Sequence, residues 1–173
     1  MDNFAEQLVK KNETSSDKTR RVMLIVVGVL FTLALAALAV LQLGRPLVAL
    51  LGFALAVVAG YGTFYFVQNT YVEYEYAFTN GDLDVDKIIA KKKRKEMLST
   101  SVRDFTAFGK YDDSIEETED MTVIFATDNI ASHEYYADFN DESVGSARLV
   151  FGPDERMLEN ITKFLPAKLR LKK

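Results

Sequence analysis

The sequence predicts a membrane α-helical hairpin followed by a mainly-β domain. Three observations lead to this prediction: residues 22–69 contain Arg45 as their only charged residue, both flanking regions are densely charged, and apolar residues alternate from Tyr71 onward. A bilayer core about 30 Å thick needs roughly 20 apolar residues in helical form. We therefore divide the 173-residue chain into an N-terminal segment, two transmembrane helices and a soluble domain.

The two transmembrane helices are predicted at residues 22–43 and 47–69, with a short outside loop at 44–46. Gly44 breaks the apolar run, and Pro46 suits the first turn of a new helix. The first apolar stretch is longer than that of a signal peptide and a second follows at once, so we expect no cleavage. In residues 1–21, Phe4 and Leu8, each followed by a small apolar residue, predict a short amphipathic helix on the membrane or against the domain.

Lysine and arginine residues near the apolar segments predict the orientation of the hairpin. Lys18, Arg20 and Arg21 precede the first segment and a run of five cations, residues 91–95, follows the second, whereas the loop contains Arg45 alone. Cytoplasmic loops carry an excess of Lys and Arg. We therefore expect a multi-pass protein of the cell (plasma) membrane with both termini in the cytoplasm.

Small residues recur at every fourth position in both predicted helices. In lipid, this spacing lets two helix backbones approach closely. We predict that these residues pack the two helices against each other, with homodimer formation through one of the faces as the alternative. The residues are Gly28, Thr32 and Ala36 in the first helix and Gly52, Ala56 and Gly60 in the second.

The soluble domain, residues 70–173, is predicted to contain seven strands and a C-terminal helix. Asn80-Gly81 is a strong hairpin signal between strands at residues 71–78 and 82–89. A helix is predicted at about residues 153–165, because Pro153 followed by two acidic residues favours a helix start and apolar residues then fall on one face. The five remaining strands are expected at residues 96–101, 102–108, 121–127, 134–139 and 146–151.

This order of elements resembles the pleckstrin-homology (PH) superfold, in which two orthogonal sheets form a partly open barrel capped by a C-terminal helix. The Tyr-rich first strand, the hairpin Phe78-Thr79-Asn80-Gly81-Asp82-Leu83-Asp84-Val85 and the segment Val102-Arg103-Asp104-Phe105 are similar to the PH-like domains of small uncharacterised bacterial two-span membrane proteins. The resemblance covers nearly the whole chain. It implies a PH-like fold and a cytoplasmic domain, and it implies no reaction. A different small barrel is the alternative.

The most informative polar feature is a run of five cations, Lys91, Lys92, Lys93, Arg94 and Lys95. A two-residue turn at Asn80-Gly81 would place Lys91 opposite Thr70, where the chain leaves the second predicted span. We predict that the run contacts the membrane surface or anionic lipid headgroups. A solvated turn that contributes only to topology and a site for a specific anionic ligand are the alternatives.

Phosphoinositide-binding PH domains commonly gather basic residues around the loop that joins their first two strands. In this sequence that loop, residues 79–82, is short and acidic. The departure argues against inositol-lipid recognition through this loop.

Composition excludes several classes of site. The chain has no cysteine and one histidine, so it has no disulfide, thiolate zinc site, cysteine nucleophile or multi-histidine metal site. Residues 70–173 contain 15 basic and 21 acidic residues, and such a domain is a poor nucleic-acid binder. His133-Glu134 lacks the nucleophile of a catalytic site. We predict no catalytic residue, no metal and no cofactor.

An acidic segment could be read as a metal site. It lacks the alternating ligands and central glycine of a calcium loop. We predict a solvated loop, with weak metal binding or a basic partner as alternatives. The acidic residues are Asp112, Asp113, Glu116, Glu117, Glu119 and Asp120.

These observations predict a non-enzymatic, membrane-tethered interaction module that presents a PH-like domain at the cytoplasmic membrane surface. Its expected partners are the lipid bilayer, anionic lipid headgroups and a membrane or cytoplasmic protein. The alternative is a structural or assembly subunit of a membrane complex, such as a transporter, that acts through its transmembrane hairpin.

Overall fold

The structure, a computed structural model, describes residues 3–112, 115, 120–128, 133–141 and 145–170. The chain divides into two compact units. One is a helical hairpin, Glu13–Tyr71, and the other is a β domain built from the flanking segments Met1–Asn12 and Val72–Lys173. The hairpin is therefore an insertion in the β domain.

The helical hairpin consists of α1 (Ser15–Leu41) and α2 (Pro46–Gln68). Both helices are long and apolar enough to cross a membrane, with lengths of about 40 Å and 34 Å at 1.5 Å per residue. Helix α1 begins ahead of the predicted apolar segment because Thr14 and Asp17 form a capping box in the polar region before it. Pro46 is the first residue of α2, where its missing N–H costs nothing.

The β domain contains two four-stranded sheets. Sheet A is antiparallel in the order β1-β2-β3-β4, and sheet B has the order β5-β7-β8-β6 with β6 parallel to β8. A helix, α3 (Glu155–Phe164), follows the last strand, and Asp154 caps it by accepting a hydrogen bond from the Met157 N–H. The strands are β1 (Phe4–Lys10), β2 (Val72–Thr79), β3 (Asp82–Ile89), β4 (Lys93–Ser101), β5 (Ala107–Lys110), β6 (Thr122–Ala126), β7 (Tyr135–Asp141) and β8 (Gly145–Phe151).

Alternate residues of both sheets form one hydrophobic core with one face of α3. Because successive side chains of a strand point to opposite faces, Tyr74, Tyr76 and Phe78 of β2 and Leu83 and Val85 of β3 are buried, whereas the residues between them are not. Helix α3 adds Met157 and Ile161, which are fully buried. The largest buried side chains of the two sheets are Tyr76, Phe78, Leu83, Phe139, Leu149 and Phe151.

The predicted order of a helical hairpin, a mainly-β domain and a C-terminal helix agrees with the structure. The predicted register, in which Thr79 pairs with Asp82, is also confirmed. The predicted strand at residues 102–108 is shorter, because a 3-10 turn at Val102–Asp104 precedes β5.

The predicted count of seven strands and the predicted N-terminal amphipathic helix are both wrong. The described residues form eight strands, and the additional one is Phe4–Lys10, which pairs with β2. Ala5 and Val9 are buried while Phe4 and Leu8 are exposed. A spacing of four residues fits both the period of a helix and that of a strand, so the sequence pattern does not separate the two. Pairing with β2, whose residues lie 63 to 75 positions further along the chain, decides for the strand.

Candidate functional site

The chain leaves sheet A for the helical insertion, and returns from it, at the same end of the sheet. Lys10, the last residue of β1, pairs with Glu73, and Val72, the first residue of β2, pairs with Ile89. The turn between β3 and β4 lies beside them, because Ile89 also pairs with Lys93. We call this region the basic end of sheet A. It includes Lys10 and the cations of residues 91–95.

The β3–β4 turn has a backbone conformation that favours glycine. Its central residues, Ala90 and Lys91, have φ angles of 54° and 56°, and the Lys92 N–H donates to the Ile89 carbonyl at 3.1 Å. Positive φ at both central positions matches the right-handed twist of the flanking strands, but it is uncommon for residues other than glycine. Lys91 and Lys92 are exposed at this turn.

The predicted run of five cations is divided between the turn and two faces of sheet A. The Arg94 guanidinium forms an ion pair with Glu75 and lies 3.6 Å (Nε to Oδ2) from Asp86. Both carboxylates belong to the outer face of sheet A, which is the face opposite the core. Because neighbours on a strand alternate, Lys93 and Lys95 point to the core side, where Lys95 pairs with Lys87.

Lys87 is a member of this site that sequence reasoning missed. The register of β3 and β4 shifts between Val85 and Asp86 at a β-bulge. Without that shift the pairing of Val85 with Leu98 would continue and place Lys87 opposite Glu96. A bulge of this kind leaves no signal in the sequence pattern, so the pairing of two lysines could not be anticipated.

The outer face of sheet A is acidic and concave. A cavity of about 500 Å³ is lined by its polar residues, which include Glu6, Glu75, Asp84, Asp86, Arg94 and Glu96. Burial of the side chain, which is 12% exposed, and a hydrogen bond with Glu6 raise the pKa of Glu75, although the Arg94 guanidinium lowers it. This face therefore holds closely spaced carboxyl groups with one cation among the lining residues.

A family model described as "Bacterial PH-like domain (DUF6106)" matches residues 1–171. The chain belongs to this family of bacterial PH-like domains. The match begins before β1, so the inserted helical hairpin lies within the matched region. It also confirms the resemblance drawn from the sequence. No curated protein and no solved structure matches the chain.

The other polar segments singled out from the sequence of this PH-like protein are only partly described by the structure. Asp113, Glu116, Glu117 and Glu119 lie outside the described residues, and Asp112 and Asp120 are exposed. His133 is exposed, and the Glu134 carboxylate accepts a hydrogen bond of 2.6 Å from the Thr127 hydroxyl. In the described part of the chain, no group of three His, Asp or Glu side chains could hold a metal ion.

The small residues predicted to pack helices lie where α1 and α2 meet. A Cβ atom on Gly28 would stand 2.2 Å from Thr63 Cγ2, and one on Gly52 would stand 2.8 Å from Ala39 Cβ. Gly60 is close to Thr32, with a corresponding distance of 3.7 Å. Ala56 is buried and Ala36 is half-buried. The two closest approaches, Gly28 to Thr63 and Gly52 to Ala39, therefore join α1 to α2 within the hairpin of this PH-like protein.

Arg21 joins the two ends of the helical hairpin. Its guanidinium donates to the Glu13 carboxylate at 2.6 Å and to the Thr70 hydroxyl at 3.0 Å. It also lies 3.9 Å from the ring centroid of Tyr71, a cation–π arrangement. From the sequence, Arg21 was expected only to contribute to the orientation of the hairpin. Its contacts with Thr70 and Tyr71 show that it also holds the end of α2 beside the start of α1.

Proposed function

We propose that this PH-like protein is a membrane-tethered, non-enzymatic interaction module with its β domain at the cytoplasmic face of the cell membrane. The observation that carries the proposal is the insertion of two helices of membrane length between adjacent strands β1 and β2. Two crossings return a chain to the side that it left. Lys10 and Glu73 are paired, so the two ends of the hairpin must lie on the same side as the β domain.

The distribution of cations supports the cytoplasmic side. Three Lys or Arg residues lie in or near the first turns of α1, and further lysines lie at the basic end of sheet A, whereas the connection between the helices has Arg45 alone. Cytoplasmic segments next to membrane helices carry this excess of positive charge. Both termini of the chain are thereby proposed to be cytoplasmic.

The basic end of sheet A is proposed to contact the anionic inner leaflet. The segments that join the sheet to the helices, residues 11–14 and 69–71, can reach at most about 14 Å at 3.3 to 3.6 Å per residue. Each Lys near an anionic surface contributes about 1 kcal/mol, and salt screens the attraction over about 10 Å. The soluble domain has more acidic than basic residues, so attraction at this end would orient the whole domain.

Binding is the proposed activity because PH-like domains typically act by binding rather than by catalysis. The alternative, a subunit that assembles through its transmembrane hairpin, was based on the small-residue spacing. Packing of Gly28 on Thr63 and of Gly52 on Ala39 accounts for that spacing without a second protein. The β domain is therefore the part of the chain proposed to meet a partner.

Photo-crosslinking in living cells tests this assignment on the full chain. A photoreactive residue replaces either Thr79 on the β domain or Leu50 on α2, both of which are exposed. The proposal predicts a protein adduct of defined mass from position 79, and lipid adducts from position 50. A protein adduct from position 50 alone would overturn it and favour the subunit alternative.

A further inference from the structure

Three carboxylates lie in line across the outer face of sheet A. Glu75 on β2 pairs with Asp86 on β3, and Asp86 pairs with Glu96 on β4. Like charges that are directly opposed on neighbouring strands destabilise a sheet. Arg94 forms ion pairs with Glu75 and Asp86, which offsets part of the repulsion. A positively charged surface that docks on this face would offset more of it.

The same face also offers apolar area to a docking partner. The core of the β domain lies against the opposite face of the sheet, and β1 presents Phe4, Glu6 and Leu8 as exposed residues on the outer one. Phe4 and Leu8 are 50% and 53% exposed. Protein interfaces combine an apolar centre with a polar rim. The outer face, with its cavity of about 500 Å³, therefore suits a segment that carries both apolar and basic side chains.

A basic surface of the same chain has this composition and lies at the end of α3. Residues 160–173 contain five Lys or Arg residues and no Asp or Glu, with apolar residues between the cations. Of the described residues in this range, Lys163, Lys168 and Arg170 are exposed. The Arg170 guanidinium donates to the Lys163 carbonyl at 3.3 Å, which holds it beside the end of the helix. We call Lys163, Lys168 and Arg170 the α3 basic patch.

Sheet A separates the two surfaces near its β2–β3 turn. The Phe164 ring packs edge-on against Phe78 on the core side of the sheet, with centroids 5.4 Å apart, and it lies close to Gly81 in the turn. Asp82 and Asp84 follow this turn on the outer face, because the side chains of a strand alternate. The basic patch of a chain therefore lies on the opposite side of the sheet from its own acidic face, and each surface is left for another molecule.

We propose that the α3 basic patch of one copy docks on the outer face of sheet A of a second copy, so that β domains associate head to tail. The charges of the two surfaces are complementary, which favours encounter and sets the orientation of the partners. An interface between two different surfaces leaves one of each free on a pair, so further copies add in a row. This inference rests on the proposed function, in which the β domain meets a partner, and deepens it by naming a second copy of the chain as that partner.

Carbodiimide crosslinking of the full chain in neutral detergent tests the contact. The reagent joins a carboxylate to an amine that touches it, and a mixture of normal chains and chains labelled with heavy nitrogen distinguishes links between copies from links within one. We expect mixed-label links from Glu6, Asp84 or Glu96 to Lys163 or Lys168. Their yield should fall as salt is raised from about 0.1 M to about 1 M, because the screening length shortens from about 10 Å to about 3 Å. Absence of mixed-label links at the lower salt concentration would overturn the proposal.

Two double variants test the head-to-tail arrangement by sedimentation of the full chain in detergent. Glu6→Lys with Glu96→Lys reverses charge on the acidic face, and both positions are exposed and lie beside carboxylates, so this variant should fold. Lys163→Gln with Lys168→Gln removes charge from the basic patch. Each variant alone should lose self-association, whereas an equal mixture should form one-to-one pairs, because the mixture retains one intact surface of each kind. The control Lys110→Gln, which is exposed on β5, should associate as the wild type does.

A monomeric wild type, a mixture of the two variants that stays monomeric, or an equal loss of association in Lys110→Gln would overturn the proposal. Its failure is distinct from failure of the proposed function, because photo-crosslinking from Thr79 captures any protein partner of the β domain. An adduct of twice the mass of the chain supports head-to-tail association. An adduct of any other mass would overturn this inference and leave the proposed function standing, with a different protein as the partner.

Discussion

Replacing Tyr76 by phenylalanine tests how the two sheets of the β domain are joined. The Tyr76 side chain is fully buried, and its hydroxyl donates to the Ala126 carbonyl at the end of β6. The same oxygen accepts a hydrogen bond of 3.2 Å from the Gly152 N–H, just after β8. One hydroxyl on sheet A therefore satisfies two backbone groups of sheet B and its extension.

The expected loss of stability is about 2 to 6 kcal/mol, because each of the two buried backbone groups left without a partner costs about 1 to 3 kcal/mol. The substitution keeps the aromatic ring and its edge-on contact with Phe151, whose centroid is 5.6 Å away, so it creates no large cavity. A loss of this size is a large fraction of the ~5 to 15 kcal/mol that stabilises a typical domain.

Urea unfolding of the full chain in detergent, followed by hydrogen exchange of β-domain amides, measures this loss. Tyr135→Phe is the matched control, because the Tyr135 ring stacks on Phe108 and its hydroxyl has no hydrogen bond within the described part of the chain. The control should change stability by less than about 0.5 kcal/mol. If Tyr76→Phe is equally mild, the two hydrogen bonds do not join the sheets and the reasoning is refuted.

The same variant predicts a change in the alkaline stability of the β domain. Burial raises the pKa of Tyr76 above its ordinary value, so the folded state favours the neutral phenol. The contribution to stability is complete below the unfolded pKa of about 10 and is lost as the pH rises above it. Stability should fall above pH ~10 in the wild type, and this component should be absent from Tyr76→Phe.

Three further predictions concern the acidic face, the basic turn and the hairpin. The folded state raises the pKa of Glu75, so ionisation of Glu75 should destabilise the wild type as the pH rises above ~4.3. The urea midpoint of the wild type should then fall relative to that of Glu75→Gln, and a difference that does not change with pH would contradict this. Ala90→Gly should raise the free energy of unfolding by about 0.5 kcal/mol, because the relief of positive φ exceeds the entropic cost of glycine; a lower urea midpoint would contradict it. Gly28→Leu should lower the temperature at which helical circular dichroism is lost in detergent, whereas Gly62→Leu, where a Cβ meets nothing within 4 Å, should not; equal effects would show that close packing at Gly28 is unimportant.

Most of the fold could be predicted from local patterns. The two apolar helices follow from two runs of uncharged residues separated by Arg45, and the Asn80-Gly81 hairpin follows from turn residues with positive φ. The N-terminal strand could not be predicted, because its apolar spacing fits two periods and its pairing partner lies beyond the whole hairpin. Tertiary pairing, rather than local preference, determines such a segment.

The candidate site was predicted only in part for the same reason. Residues 91–95 were identified from their charge, but the sequence does not show that Arg94 faces the carboxylates of Glu75 and Asp86. Nor does it show that Lys87 joins the remaining lysines, because that pairing depends on a one-residue bulge. A shift of one residue moves a side chain to the other face of a sheet. The positions of charged residues can therefore be read from the sequence, whereas the face of the sheet on which each side chain lies cannot.

Single-cysteine labelling in intact cells tests the central claim most directly. The chain contains no cysteine, so Gly44→Cys, between the helices, and Thr79→Cys, at the exposed end of β2, can each be labelled without background. With a membrane-impermeant maleimide, we predict that Gly44→Cys reacts in intact cells and that Thr79→Cys reacts only after the membrane is opened. Reaction of Thr79→Cys in intact cells would contradict the cytoplasmic placement of the β domain and the role of its basic end.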